Sequence, residues 1–193
     1  MTTITIVRKN NELAIAADTL TKYSYTKEGA DYIVNHEKIF RVGDGFVGVA
    51  GSATVALAIQ DYFDRQPKPP QLDSVTRIFR AWNDLHRMLR EDYFLNPSKD
   101  SDDSVETSRA RALVVNASGI FGVDSYRYVQ EFTRFYAHGS GNEFALGAIY
   151  AVYDSDRTAE QLARLGVEAA AEFDDSTGLP VISYAIRERR RRR

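Results

Sequence analysis

Met1-Thr2-Thr3-Ile4-Thr5-Ile6-Val7-Arg8, Lys9-Asn10-Asn11-Glu12 and Leu13-Ala14-Ile15-Ala16-Ala17-Asp18-Thr19 open the chain and read as one β-hairpin. Apolar and polar residues alternate up to Arg8, Asn10-Asn11 is a turn signal, and Leu13 to Ala17 is an apolar run suited to a buried strand. With Asn10-Asn11 as a two-residue loop, Lys9 faces Glu12. Counting back along the ladder then sets Thr3 opposite Asp18 and Thr2 opposite Thr19. A start Met before a small residue such as Thr is normally removed, which leaves Thr2 with a hydroxyl and a free α-amine. An α-amine has an ordinary pKa of about 7.7 to 8.0, so near neutrality it can take the hydroxyl proton. An N-terminal Thr is an activated nucleophile of this kind.

A second hairpin is read by the same count. Lys38 to Val42 and Phe46 to Ala50 flank Gly43-Asp44-Gly45. Pairing Val42 with Phe46 places Lys38 opposite Ala50, beside Gly51. If the hairpins lie side by side, Lys38 and Asp18 pair next to Thr2, where a positive charge favours a neutral amine and a developing alkoxide. Gly51 then begins a turn into a helix, where free N–H groups can hold an oxyanion. An ordinary ion pair and an ordinary strand-to-helix turn would use the same residues.

Thr2-Thr3-Ile4-Thr5-Ile6-Val7-Arg8, Ala16-Ala17-Asp18, Glu37-Lys38-Ile39, Ala50-Gly51-Ser52-Ala53 and Gly139-Ser140-Gly141 together resemble the proteasome β-type subunits. The strongest likeness is to the bacterial HslV branch and to the small group of betaproteobacterial proteasome homologues, and it runs in order over nearly the whole chain.

Composition agrees with one globular domain over residues 1–186, followed by an Arg-rich tail, 187–193. The chain has 193 residues, 44% hydrophobic and 27% charged. With no Cys there is neither a disulfide framework nor thiol chemistry. His36, His86 and His138 have no ligand spacing, so neither a metal nor another cofactor is expected. No signal peptide or membrane span is read, and the expected compartment is the cytoplasm. The tail carries +5 against −7 for the rest. Lacking a second basic patch, it reads as a solvated end rather than a nucleic-acid contact.

Leu20 to Glu37 is a polar, Tyr-rich connection. Ser52 can cap a helix from about Ala53 to Arg65, stopped by Pro67, Pro69 and Pro70. A second helix starts near Ser74, with Val75, Ile78, Phe79, Trp82, Leu85 and Leu89 as its apolar stripe. Asn96 to Ser108 reads as a surface loop. Ala110 to Asn116, a turn at Ala117-Ser118-Gly119, and Ile120 to Asp124 form a third hairpin, and Tyr128 to Ala137 supplies further strand. Phe144 to Tyr153 reads as an apolar helix. Thr158-Ala159-Glu160-Gln161 is a capping box for a helix to about Phe173, and Val181 to Ile186 closes the chain as a strand.

This order predicts an α+β fold, a four-layer αββα sandwich of two antiparallel sheets between helix layers. The resemblance implies that it is the N-terminal nucleophile hydrolase fold. It further implies Thr2 as nucleophile, Asp18 and Lys38 as the charged pair, and Gly51 as oxyanion donor. Ser140, Asp174 and Thr177 would hold the amine, with Thr177 keeping a hydroxyl where the family has Ser. Thr21, Lys22 and Tyr23 would touch a bound peptide, with His36, Phe40, Val49 and Ala53 near its first specificity pocket. The implied activity is endopeptidase cleavage of peptides or unfolded proteins inside homo-oligomeric stacked rings, and the likeness to HslV allows an ATPase unfoldase or other ring activator as partner. A small-molecule amidase on the same fold and a non-catalytic ring are the alternatives.

Overall fold

The computed structural model describes residues 2–97 and 104–189. Met1, the middle of the loop read over residues 96–108 and Arg190 to Arg193 lie outside the described residues. So do the expectations attached to removal of Met1 and to most of the basic tail.

Strands β1 (Thr3–Lys9) and β2 (Glu12–Asp18) pair with Lys9 opposite Glu12, as counted from the sequence. The loop works because Asn10 and Asn11 both take positive φ, 51° and 60°, as a type I′ turn requires. The strands then divide their faces. Ile4, Ile6, Leu13, Ile15 and Ala17 point toward the second sheet, while Val7, Ala14 and Ala16 point toward helices. Leu13 to Ala17 is apolar without a break because both of its faces are covered. Each fully buried Ile or Leu here contributes about 1.5–3 kcal/mol.

Strands β5 (Ile39–Val42) and β6 (Gly45–Gly51) form the second hairpin, with a register that differs from the sequence count. Val42 faces Gly45, not Phe46, so the loop is Gly43-Asp44 and Lys38 falls opposite Val49. Gly43, at φ +61°, supplies the positive φ that a type II′ loop needs at its first position. Gly45 is glycine for another reason: a Cβ there would lie 2.5 Å from the Val115 carbonyl oxygen on the neighbouring strand.

β6 continues through β7 (Ala110–Asn116) and β8 (Gly119–Val123) to β9 (Val129–Phe132), giving a five-stranded sheet in the order β5-β6-β7-β8-β9. The β7–β8 loop is also one residue shorter than read. Asn116 faces Gly119, and the Asn116 Oδ1 accepts from the Ser118 N–H at 2.9 Å to close the turn. The strand expected over Tyr128 to Ala137 is two strands in different sheets. After β9 the chain crosses at Thr133-Arg134 and returns as β10 (Phe135–Gly139), beside β1. The four-stranded sheet has the order β10-β1-β2-β11, with β11 (Val181–Arg187) at its far edge. The Tyr-rich connection contains a small hairpin not read from sequence, β3 (Thr21–Tyr23) with β4 (Thr26–Glu28).

Helices cover both outer faces. Helix α1 (Ala53–Asp64) is capped by Ser52, whose hydroxyl accepts from the Val55 N–H. Helix α2 (Val75–Glu91) buries Ile78, Trp82, Leu85 and Leu89, but leaves Val75 and Phe79 exposed. Both lie on the five-stranded sheet through Val47, Val49, Val114 and Phe121. Helices α3 (Asn142–Val152) and α4 (Ala159–Phe173) lie on the four-stranded sheet through Ile149, Leu162 and Val167. Both halves of the Thr158/Gln161 capping box form. The layers are therefore helix, sheet, sheet, helix, and the apolar seam between the sheets ends where Thr2, Lys38 and Gly51 are carried to one edge. Among the described residues no helix is long and apolar enough to cross a membrane.

Candidate active site

Asp18 ends β2 fully buried, and Lys38 directly precedes β5. Their Nζ to Oδ1 distance is 2.8 Å, which joins the two sheets at this edge. A buried carboxylate is tolerable only when its oxygens are satisfied. Here Oδ1 accepts from the Lys38 Nζ and from the Thr3 N–H at 2.9 Å, while Oδ2 accepts from the N–H groups of Leu20 at 3.1 Å and Gly178 at 3.2 Å. The Lys38 Nζ also donates to the Leu20 carbonyl at 2.7 Å. Burial pushes the Lys38 ammonium below its ordinary pKa, against the opposing pull of Asp18 and, more weakly, Asp174.

A second polar cluster lies across β1 from the first. Asp174 caps the end of α4, and its Oδ2 accepts from the Thr177 and Ser140 hydroxyls, each at 2.6 Å. The Thr3 hydroxyl lies 2.6 Å from that of Thr177 and accepts from the Gly141 N–H at 3.1 Å. Thr2 is buried, and its carbonyl accepts from the Ser140 N–H at 2.9 Å, which ties the start of the chain to this cluster. Sterics account for the two glycines around Ser140. A Cβ on Gly139, whose φ is +110°, would stand 1.7 Å from the Thr2 oxygen, and one on Gly141 would stand 2.6 Å from the Thr3 Oγ1.

Gly51 is the exposed last residue of β6, opposite Ala110 and two residues beyond Lys38's partner Val49. Its neighbour Ser52 starts α1, so the strand-to-helix turn read from sequence is present. Thr21, Lys22 and Tyr23 form β3, and the Lys22 Nζ reaches Asp175 at 2.5 Å, bridging that strand to the turn after α4. The His36 Nδ1 lies 2.7 Å from the Ile33 carbonyl. Val49 is buried under α1 and α2, Phe40 packs there against Phe63 at a 6.1 Å ring separation, and Ala53 is the exposed first residue of α1. His86 and His138 are buried, and no group of metal-binding side chains occurs among the described residues. Two cavities, of about 330 and 510 Å³, are lined by none of the residues assigned to catalysis.

Sequence reading set Thr3 opposite Asp18 but gave its hydroxyl no part in the site. Its visible signal was a Thr on the strand face shared with Thr5 and Val7, which turns toward the helices instead of the second sheet. Thr5 satisfies its hydroxyl on the Ala163 carbonyl at 2.8 Å. Thr3 satisfies its own within the Asp174 cluster.

Two antiparallel sheets packed between helix pairs, with polar chemistry gathered where the first strand begins, define an N-terminal nucleophile hydrolase. No protein-family model matches the chain. It is 32% identical over 182 residues to the ATP-dependent protease subunit HslV of Caulobacter sp. (strain K31), covering 89% of this chain and 87% of that protein. Among solved structures it matches Thiobacillus denitrificans BPH in complex with epoxomicin at TM-score 0.92 and 54% identity, covering 97% of this chain and 100% of that one. Eukaryotic HslV from Trypanosoma brucei matches at TM-score 0.68 and 22% identity, over 96% and 99% of the two chains, a likeness of fold. The chain belongs to the HslV family of proteasome-type threonine peptidases.

Proposed function

We propose that the nucleophile of this threonine peptidase is Thr2, with its α-amine exposed by removal of Met1. The observation that carries the reading is the position of Thr2 at the start of β1. Its carbonyl is held by Ser140, and the next residue's N–H is held by the Asp18 carboxylate that also pairs with Lys38. The Thr2 hydroxyl attacks the scissile carbonyl carbon while the amine takes its proton. The oxyanion is stabilised by the Gly51 N–H. The protonated amine then gives its proton to the leaving nitrogen as the C–N bond breaks, leaving an ester on Thr2. Water, deprotonated by the same amine, cleaves that ester and regenerates Thr2. Lys38, charged and fixed by Asp18, favours the neutral amine and the developing alkoxide, while Ser140, Asp174 and Thr177 orient the amine.

The substrate is an extended peptide or unfolded chain running past Thr21, Lys22 and Tyr23, with an apolar or small side chain received near His36, Phe40, Val49 and Ala53. Family membership supports a homo-oligomer. Within this proposal the assembly is a stack of rings with the sites inside, working in the cytoplasm. The Caulobacter relative is named ATP-dependent, and an ATPase ring that delivers unfolded chains is the corresponding partner here.

Intact mass and N-terminal sequencing, before and after treatment with a peptide epoxyketone, test the assignment. The expected result is loss of Met1, one adduct on Thr2, and no adduct or peptide hydrolysis in Thr2→Ala. Absence of an adduct on a preparation that begins at Thr2 would overturn it.

A further inference from the structure

Thr3 is fully buried, adjoins the proposed nucleophile, and bonds to both polar clusters. Its backbone N–H is committed to Asp18, so its hydroxyl has a separate part to play. An ionised carboxylate can only accept. The Thr177 and Ser140 hydroxyls therefore both direct their protons at the Asp174 Oδ2. Thr177 has one proton, so the proton between Thr3 and Thr177 belongs to Thr3. The chain runs one way: Gly141 N–H to Thr3, Thr3 to Thr177, Thr177 to Asp174.

We propose that Thr3 is a positioning residue for the Thr2 α-amine, because its hydroxyl, donating into the Thr177 oxygen, backs the proton order that the Asp174 carboxylate imposes on Thr177 and Ser140. With that order fixed, the capacity left on the Thr177 and Ser140 oxygens is acceptor capacity. The amine meets groups that take its N–H bonds and give none back, so its lone pair is kept for the Thr2 hydroxyl. The proposal rests on the assignment of Thr2 as nucleophile. The charged groups in the two clusters that bracket Thr2 are Asp174 from the end of α4, Asp18 from β2 and Lys38 ahead of β5. A proton donated into the Thr177 oxygen strengthens Thr177's own donation to Asp174 and disperses the carboxylate charge. Without it Asp174 holds a protonated amine more tightly, and the active neutral amine appears only at higher pH.

The test compares wild type, Thr3→Val and Thr3→Ser, each checked by mass for a Thr2 N-terminus, on a fluorogenic peptide across pH. Thr3→Val is expected to lower kcat about tenfold with KM nearly unchanged, and to move the acid limb of kcat/KM up by about half a pH unit. Thr3→Ser keeps the hydroxyl and is expected to restore both. A wild-type profile in Thr3→Val, or an equal defect in Thr3→Ser, would overturn the proposal. If Thr3→Val fails to assemble, Thr3→Cys supplies a weak donor of similar size: a displaced acid limb supports the proposal and an unmoved one overturns it. Epoxyketone labelling of the wild type separates the two readings, since failure to label Thr2 removes the nucleophile assignment itself. Labelled wild type with an indifferent Thr3→Val removes only the role of Thr3.

Discussion

Lys38 shows how a residue that is costly to bury can be held in its charged form by its partners. Burial lowers its pKa, while Asp18 and the Leu20 carbonyl hold the ammonium in place. The charged form persists below that lowered pKa and is lost as pH rises through it. The alkaline fall in kcat/KM is therefore expected at lower pH than an ordinary lysine, near 10.5, would give. Lys38→Ala should cost at least about a hundredfold in kcat/KM. Lys38→Arg stays charged, but its planar fork does not reproduce a compact ammonium. What activity it retains should lack the alkaline fall, and a pH–rate profile of the three proteins checks this.

At the level of elements, α4 carries much of the site's geometry, since its last turn leads directly to Asp174. Its start is fixed by the capping box, in which the Thr158 Oγ1 accepts from the Gln161 N–H at 3.2 Å and the Gln161 Oε1 accepts from the Thr158 N–H at 2.9 Å. Thr158→Ala should cost about 1 kcal/mol of stability, read by urea unfolding, without changing the pH profile of hydrolysis. That capping box was legible in sequence because its chemistry is local. The first hairpin was legible for the same reason: two Asn residues set a loop of fixed length, and the count from it carried Thr3 correctly to Asp18. The second hairpin was misread by one residue because Gly45 looks like part of a turn, whereas its glycine answers to crowding by Val115 on a strand some seventy residues away. The β9–β10 crossing carries no local mark either. The part of the Thr3 hydroxyl escaped notice because it depends on Thr177, Asp174 and Gly141, which only the folded chain brings to it.

For the whole molecule, a histidine buried in the seam between the sheets contributes to the response to acid. His138, on β10 opposite Ile4, is buried, and burial together with Arg111 holds its pKa down to about 4, against a weaker opposing pull from Asp124. The unfolded chain binds this proton near pH 6.5. The contribution of His138 is therefore complete above that pH and is lost as pH falls toward 4. Between pH 7 and pH 5 it should remove about 2 kcal/mol from the unfolding free energy. His138→Phe should abolish that part of the dependence, in urea unfolding at matched protein concentration.

β1 is the first strand in the chain, yet it is an inner strand of its sheet, flanked by β10 and β2. Asp18 receives its last donor from Gly178, and the cluster against Thr2 draws on Ser140, Asp174 and Thr177. The proposed nucleophile thus stands at the head of β1, while Ser140, Asp174, Thr177 and Gly178 come from beyond β10, and Asp18 and Lys38 come from β2 and the approach to β5. Any change that displaces the turn from Asp174 to Gly178 would therefore loosen two supports of the first strand at once, the Ser140 cluster and the Gly178 bond to Asp18.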